Sequence, residues 1–357
     1  MVKALAQVAL AAGFDRIVGA VALGRSERSR RASRAESLSH AERMEALRAI
    51  AARHDAPAWR APPHVFFDAG RAEPWERLAR KVEADREIWD VRWRSEYAPL
   101  GDEASLRQRL ASRPENGWAH ARLWLHSDRP RPTAILLHGY LGGSYAVEER
   151  AWPVRWMFEK LGLDLAIPVL PHHGPRSPAF KRPMFPSSDP RVTIEGFRQA
   201  IWELMVLRAR LAERGSPAVG VMGMSLGGYT SALALTADPN LAFGVPFIPL
   251  ASIADFARDA GRLVGLPAQR REQHAALERA HAPVSPLARE LVVDPDRILV
   301  VAGRGDRITP MSHAQRLAER FGAPLHTFDG GHLLQLGRAD GFREVARLLR
   351  DRGLLER

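Results

Sequence analysis

The chain has 357 residues, 46% of them apolar, enough to bury a full core as one large domain or two small ones. Its formal net charge is +11, yet only 4 of its 52 basic residues are lysine, and the arginines are scattered rather than gathered in a stripe, which argues against a nucleic-acid-binding face. There is no cysteine, so disulfides, thiolate catalysis and cysteine-ligated zinc are excluded.

Residues 1–23 hold an apolar run over 4–12 that Asp15 and Arg16 interrupt and that resumes over 17–23. The stretch is too short and too broken to span a bilayer. Phe14-Asp15-Arg16 also spoils the small-residue site at which a signal peptide would be cut. An amphipathic helix is expected, packed on the domain or touching a membrane surface as a peripheral contact. The expected location is cytoplasmic, with membrane association or export as alternatives. Residues 24–39, dense in arginine and serine, read as an exposed linker. Ser39 and Glu42 then form a capping box ahead of a helical run over 44–54. Pro57 and Pro62-Pro63 break that run. Residues 75–89, with Leu78, Val82 and Ile88 as apolar positions and Pro74 before them, are expected to form a second helix.

Strand signals begin where apolar and polar residues alternate over 91–97, and a second strand is expected over 118–125. The short apolar run over 133–137 reads as a buried strand that empties into His138-Gly139-Tyr140-Leu141-Gly142-Gly143-Ser144. The next strand, over 164–170, ends in Pro171-His172-His173-Gly174-Pro175-Arg176. Two adjacent histidines with no spaced partner set suit loop shaping better than zinc ligation. A long helix is expected over 192–212, with Ile194, Phe197, Ile201, Leu204 and Leu211 on one face.

Residues 219–235 follow. Val219-Gly220-Val221-Met222 reads as a strand, Gly223-Met224-Ser225-Leu226-Gly227-Gly228 as a sharp turn, and the remainder as a helix. Such a turn exposes the serine hydroxyl. The glycines on either side let strand and helix approach, and the helix N-terminus favours negative charge beside the serine. The five-residue pattern alone arises by chance in roughly one such chain in ten, so a base and an acid must be found elsewhere. A further strand is expected over 243–250. Residues 251–288 form a charged helical insertion interrupted by Pro267, Pro283 and Pro286, placed either as a lid or as a surface hairpin with no gating role. The strand over 297–303 is followed by Arg304-Gly305-Asp306, and the strand over 325–328 by Asp329-Gly330-Gly331-His332. Residues 342–349 close the chain as a helix. Asp306, just past a strand end, is expected to orient His332. Asp329 is the rival acid, too near His332 along the chain, and His326 lies within a strand.

The assembled pattern resembles the α/β-hydrolase superfamily from about residue 91 to the C-terminus. It does so in His138-Gly139-Tyr140, Gly223-Met224-Ser225-Leu226-Gly227, Gly303-Arg304-Gly305-Asp306 and Gly331-His332, and in the order Ser225, Asp306, His332. Pro171-His172-His173-Gly174-Pro175-Arg176 and Met222-Gly223-Met224-Ser225-Leu226-Gly227-Gly228-Tyr229 are most similar to bacterial esterases of the dienelactone-hydrolase or abhydrolase-domain-18 type. The resemblance implies an α/β fold with a mostly parallel central sheet flanked by helices. Residues 1–85 would be a helical N-terminal extension, and 86–357 a catalytic domain with a short helical lid over 251–288. It implies a serine hydrolase that cleaves a carboxylic ester, or an amide or thioester, through an acyl-enzyme on Ser225. His332 would be the base, Asp306 would orient it, and the N–H groups of Leu226 and Tyr140 would receive the oxyanion. His138 would be structural. The expected partner is a small-molecule acyl substrate, and the chemistry calls for no cofactor or metal. An acyltransferase using the same triad and a catalytically silent binding module are the alternatives. The extension, lying outside the resemblance, is expected to be dispensable for the chemistry.

Overall fold

A computed structural model of the chain describes residues 6–15, 38–54, 66–67, 74–83, 85–101, 103–178 and 182–355. The prolines at 57, 62 and 63, nearly all of the arginine–serine tract and the resumed apolar run over 17–23 lie outside the described residues.

The described residues form a nine-stranded sheet in the order β1-β2-β3-β5-β4-β6-β7-β8-β9. The strands are β1 (Glu76–Val82), β2 (Arg86–Arg94), β3 (Trp118–His126), β4 (Thr133–Leu137), β5 (Asp164–Pro168), β6 (Val219–Met224), β7 (Gly244–Phe247), β8 (Val300–Gly303) and β9 (Leu325–Phe328). The strands β1, β2 and β3 pair antiparallel, and β3 pairs antiparallel with β5. From β5 through β4, β6, β7 and β8 to β9 every pairing is parallel.

The inner parallel strands β4, β6, β7 and β8 are buried throughout because helices cover both faces of the sheet there. Along β4, Ile135 and Leu137 enter one core layer and Ala134 and Leu136 the other. The first layer lies under the helices Pro190–Glu213 and Leu226–Ala234, and the second under Val154–Glu159 and Arg338–Asp351. The strands 133–137 and 325–328 and the long helix after β5 form where the sequence places them.

Residues 75–89 correct the sequence reading: they form the β1–β2 hairpin, not a helix. Every residue of β1 is exposed, so no burial pattern separates a helical from a strand period there. Its residues are strong helix formers, but cross-strand pairing prevails. Arg80 meets Glu87 at 2.7 Å, Arg92 meets Glu76 at 2.8 Å, and the Arg77 guanidinium lies 4.7 Å from the Trp89 ring centroid. The sheet therefore starts at Glu76, and a boundary between residues 85 and 86 would fall inside a hairpin.

The extension does not stand apart from the rest. Ser39 and Glu42 form their capping box on the helix His40–Arg53. That helix lies on Pro267–His281 of the 251–288 insertion, with Met44 and Leu47 against Ala276 and Ala280. Gln273 Nε2 donates to His40 Nδ1 at 3.0 Å across the same seam. Residues 6–15 are helical, and Ala11, Ala12 and Asp15 are buried. Among the described residues no helix is long and apolar enough to cross a membrane.

Candidate active site

Ser225 stands between β6 and the helix Leu226–Ala234 with φ 59° and ψ −111°, a backbone conformation that non-glycine residues adopt only when the surroundings impose it. Its N–H donates to the Phe247 carbonyl at 3.1 Å, and its own carbonyl accepts from Tyr229 at 3.0 Å and Leu250 at 3.2 Å. The flanking glycines are required by contact. A Cβ at residue 223 would fall 1.9 Å from the Gly227 carbonyl oxygen, and one at residue 227 would fall 2.3 Å from that of Leu137. Strand and helix thus meet backbone to backbone, and the serine is forced outward at the turn.

The loop after β4 runs directly past this turn. A Cβ at residue 139 would sit 3.5 Å from Ser225 Cβ and 4.0 Å from its Oγ. His138 builds the loop. Its Nε2 accepts from the Leu170 N–H at 3.0 Å, so the ring proton sits on Nδ1, which donates to the Gly139 carbonyl at 2.8 Å. Burial holds the His138 pKa down to about 4, so the ring is neutral and structural. Glu148 accepts from the Gly143 N–H at 2.9 Å and fixes the far end of the loop. Among the described residues, neither the Leu226 N–H nor the Tyr140 N–H has an acceptor. One of these unpaired donors adjoins the serine in the chain, and the other follows the Gly139 that lies against it.

Asp306 and His332 stand past the ends of β8 and β9, on the same sheet edge as Ser225. His332 Nδ1 lies 2.8 Å from Asp306 Oδ2, and both residues are buried. Asp306 Oδ1 accepts from the N–H groups of Ile308 and Thr309 at 2.9 and 2.8 Å, which leaves Oδ2 for the imidazole. Asp329, the rival acid, instead pairs with Arg304 at 2.8 Å. Burial works to lower the His332 pKa. The charge and hydrogen bond of Asp306, together with the charge of Asp15, outweigh it, and the net shift is upward. With Nδ1 bound to Asp306, Nε2 is the nitrogen left for chemistry. Among the described residues no hydrogen bond yet joins Ser225 to His332. Such contacts often tighten only when substrate is bound.

Two residues were missed by the sequence reading. Thr309 Oγ1 lies 3.0 Å from both Asp306 Oδ2 and His332 Nδ1 and donates to the Ile248 carbonyl at 3.1 Å. A hydroxyl three residues after a loop aspartate is a turn-forming pattern that could have marked it. The second is Asp15, whose carboxylate reaches the His332 backbone from the N-terminal helix. A lone acid inside an apolar run was its signal.

His172 and His173 are both buried, and burial pushes the His172 pKa down to about 3. The Asn116 amide reaches His172 Nε2 at 3.2 Å, and His173 Nδ1 donates to the Pro171 carbonyl at 2.9 Å, so both serve the loop. Among the described residues, the one cluster spaced to ligate a cation is Asp255, His274 and Glu278, and it is already engaged by Arg258 and Arg316. A cavity of about 520 Å³ opens between the helix His40–Arg53 and the start of Pro190–Glu213, but Ser225 and His332 do not line it.

No family model matches the chain. The uncharacterized protein Rv2627c of Mycobacterium tuberculosis (strain ATCC 25618 / H37Rv) is 29% identical over 282 residues, covering 77% of this chain and 67% of that protein. The uncharacterized protein MT2702 of the strain CDC 1551 / Oshkosh matches to the same extent, 29% over 282 residues. Among solved structures, acetyl xylan esterase 1 from Thermoanaerobacterium superposes with a TM-score of 0.55 at 16% identity, over 80% of this chain and 92% of that one. An acetyl xylan esterase from Paenibacillus sp. R4 gives 0.53 at 14% identity, over 85% and 92%. The strand order, the serine turn after β6 and these superpositions agree on one architecture: the chain has the α/β-hydrolase fold.

Proposed function

We propose that the protein is a serine hydrolase that cleaves a carboxylic ester through an acyl-enzyme on Ser225. The observation that carries this reading is the strained Ser225 turn on the sheet edge where His332 and Asp306 are hydrogen-bonded. His332 Nε2 takes the Ser225 proton as Oγ attacks the carbonyl carbon. Asp306 holds the imidazole tautomer through Nδ1 and stabilises the imidazolium. The N–H groups of Leu226 and Tyr140 receive the oxyanion, each contributing on the order of 3 kcal/mol in sites of this kind. The protonated imidazole returns its proton to the leaving alcohol, and water cleaves the acyl-enzyme by the same steps in reverse. The esterase activity named for proteins of similar fold supports the ester as the bond class. Intact-mass labelling with a fluorophosphonate should add one adduct to the wild-type protein and none to Ser225→Ala. Labelling that persists in the variant, or is absent from the wild type, would refute the assignment. A panel of acyl esters of increasing chain length then reads the acyl preference.

A further inference from the structure

The site has a carboxylate that the mechanism above does not use. Asp15, on the helix of residues 6–15, is fully buried. Its Oδ2 accepts from the N–H of His332 at 2.6 Å and from the N–H of Arg307 at 3.2 Å, and its Oδ1 accepts from the N–H of Leu333 at 2.9 Å. One side chain therefore ties the loop that carries the base to the loop that carries the acid, since Arg307 follows Asp306 directly. The approach is close on both sides. A Cβ at residue 331 would fall 2.6 Å from Asp15 Oδ2, and one at residue 305 would fall 2.9 Å from the Val8 carbonyl oxygen and 3.3 Å from Ala11 Cβ. Gly305 and Gly331 thus leave room for this helix.

We infer that Asp15 is a positioning residue for the reaction, supplied by the N-terminal segment, which sets the His332 backbone and joins the two loops into one rigid unit. This rests on the serine-hydrolase reading for its kinetic consequence, but not for its structural one. Under this inference the N-terminal extension is not dispensable for the chemistry. The charges that act on the His332 ring come from two elements: Asp306 in the loop after β8, and Asp15 from the helix. Both favour the imidazolium, so loss of either charge moves the ring's titration to lower pH.

The test uses the full chain with Asp15→Ala and the isosteric Asp15→Asn, which retains shape if the alanine variant fails to fold. The wild type and both variants are titrated by NMR at the His332 ring and assayed on an aryl acetate, with active sites counted by fluorophosphonate labelling. We expect the His332 midpoint to fall in Asp15→Asn. We expect kcat per labelled site to fall on the order of 10²-fold in Asp15→Ala with KM nearly unchanged, the size of effect expected when a catalytic group is displaced by about an ångström. A residue that served only the fold would lower the thermal midpoint and leave the His332 titration and kcat per labelled site at wild-type values, and that result overturns the inference. If the wild type is not labelled at all, the hydrolase reading fails, and the shift or constancy of the His332 midpoint still decides the role of Asp15.

Discussion

At the scale of single residues, the pairing of His332 with Asp306 rather than Asp329 makes a direct prediction. Asp306→Asn presents an amide to Nδ1 and favours the wrong tautomer, so kcat should fall on the order of 10⁴-fold while the fold persists. Asp329→Asn breaks only the pair with Arg304, whose side chain is half exposed, and should leave kcat near wild type. Steady-state assays of the two variants separate the choices, and the reverse pattern would move the orienting role to Asp329. The raised pKa of His332 has a sign that can be checked in the same assay. The base must be neutral to accept the serine proton, so kcat/KM should decline as the pH drops through that pKa. The midpoint of the decline should lie above the ordinary histidine value of about 6.5. A profile centred below that value would mean that burial outweighs the two carboxylates.

At the scale of elements, the loop after β5 is anchored by charge. Arg176 is fully buried and donates to both carboxylate oxygens of Glu203 at 2.6 Å, to the Val169 carbonyl at 2.9 Å and to the Asn116 carbonyl at 3.0 Å. Glu203 also accepts from Gln199 and Ser95, so the long helix, the β5 loop and the segment before β3 share one network. Arg176→Met leaves the glutamate uncompensated in the interior and should cost about 3–5 kcal/mol, read as a lowered urea midpoint. Arg176→Met with Glu203→Leu should recover much of that loss, since replacing both partners removes the buried charge. The elements also show what was legible in the sequence and why. The strands β4, β6 and β8 are short apolar runs buried on both faces, which makes them plain, while β9 is a half-buried Leu-His-Thr-Phe stretch marked chiefly by the Asp-Gly-Gly that follows it. Ser225 and Asp306 could be read because each follows such a run, and His332 because it closes the glycine turn after β9. Strand β1 could not, because an exposed edge strand of arginine, lysine and glutamate carries no hydrophobic period, and its local propensity is helical. Thr309 and Asp15 carried only faint local marks, since the contacts that matter with His332 form only in the fold, across 23 positions for Thr309 and 317 for Asp15.

At the scale of the whole molecule, the sheet divides the labour. Its antiparallel edge, from β1 to β3, is fastened by cross-strand ion pairs and cation–π contacts at the surface. Its parallel half carries Ser225, Asp306 and His332 on one rim, and the helix of residues 6–15 closes over the part of that rim that holds His332. This closure sets an order of events during synthesis. The carboxylate of Asp15 leaves the ribosome well before its partners at Arg307, His332 and Leu333, which lie 292, 317 and 318 positions further along the chain. Until then an acid destined for the interior has no backbone groups to receive, and the helix that bears it cannot dock. The helix that bears Asp15 is therefore seated only after the parallel strands have assembled, and His332 takes up its geometry only when the two distant parts of the chain have met.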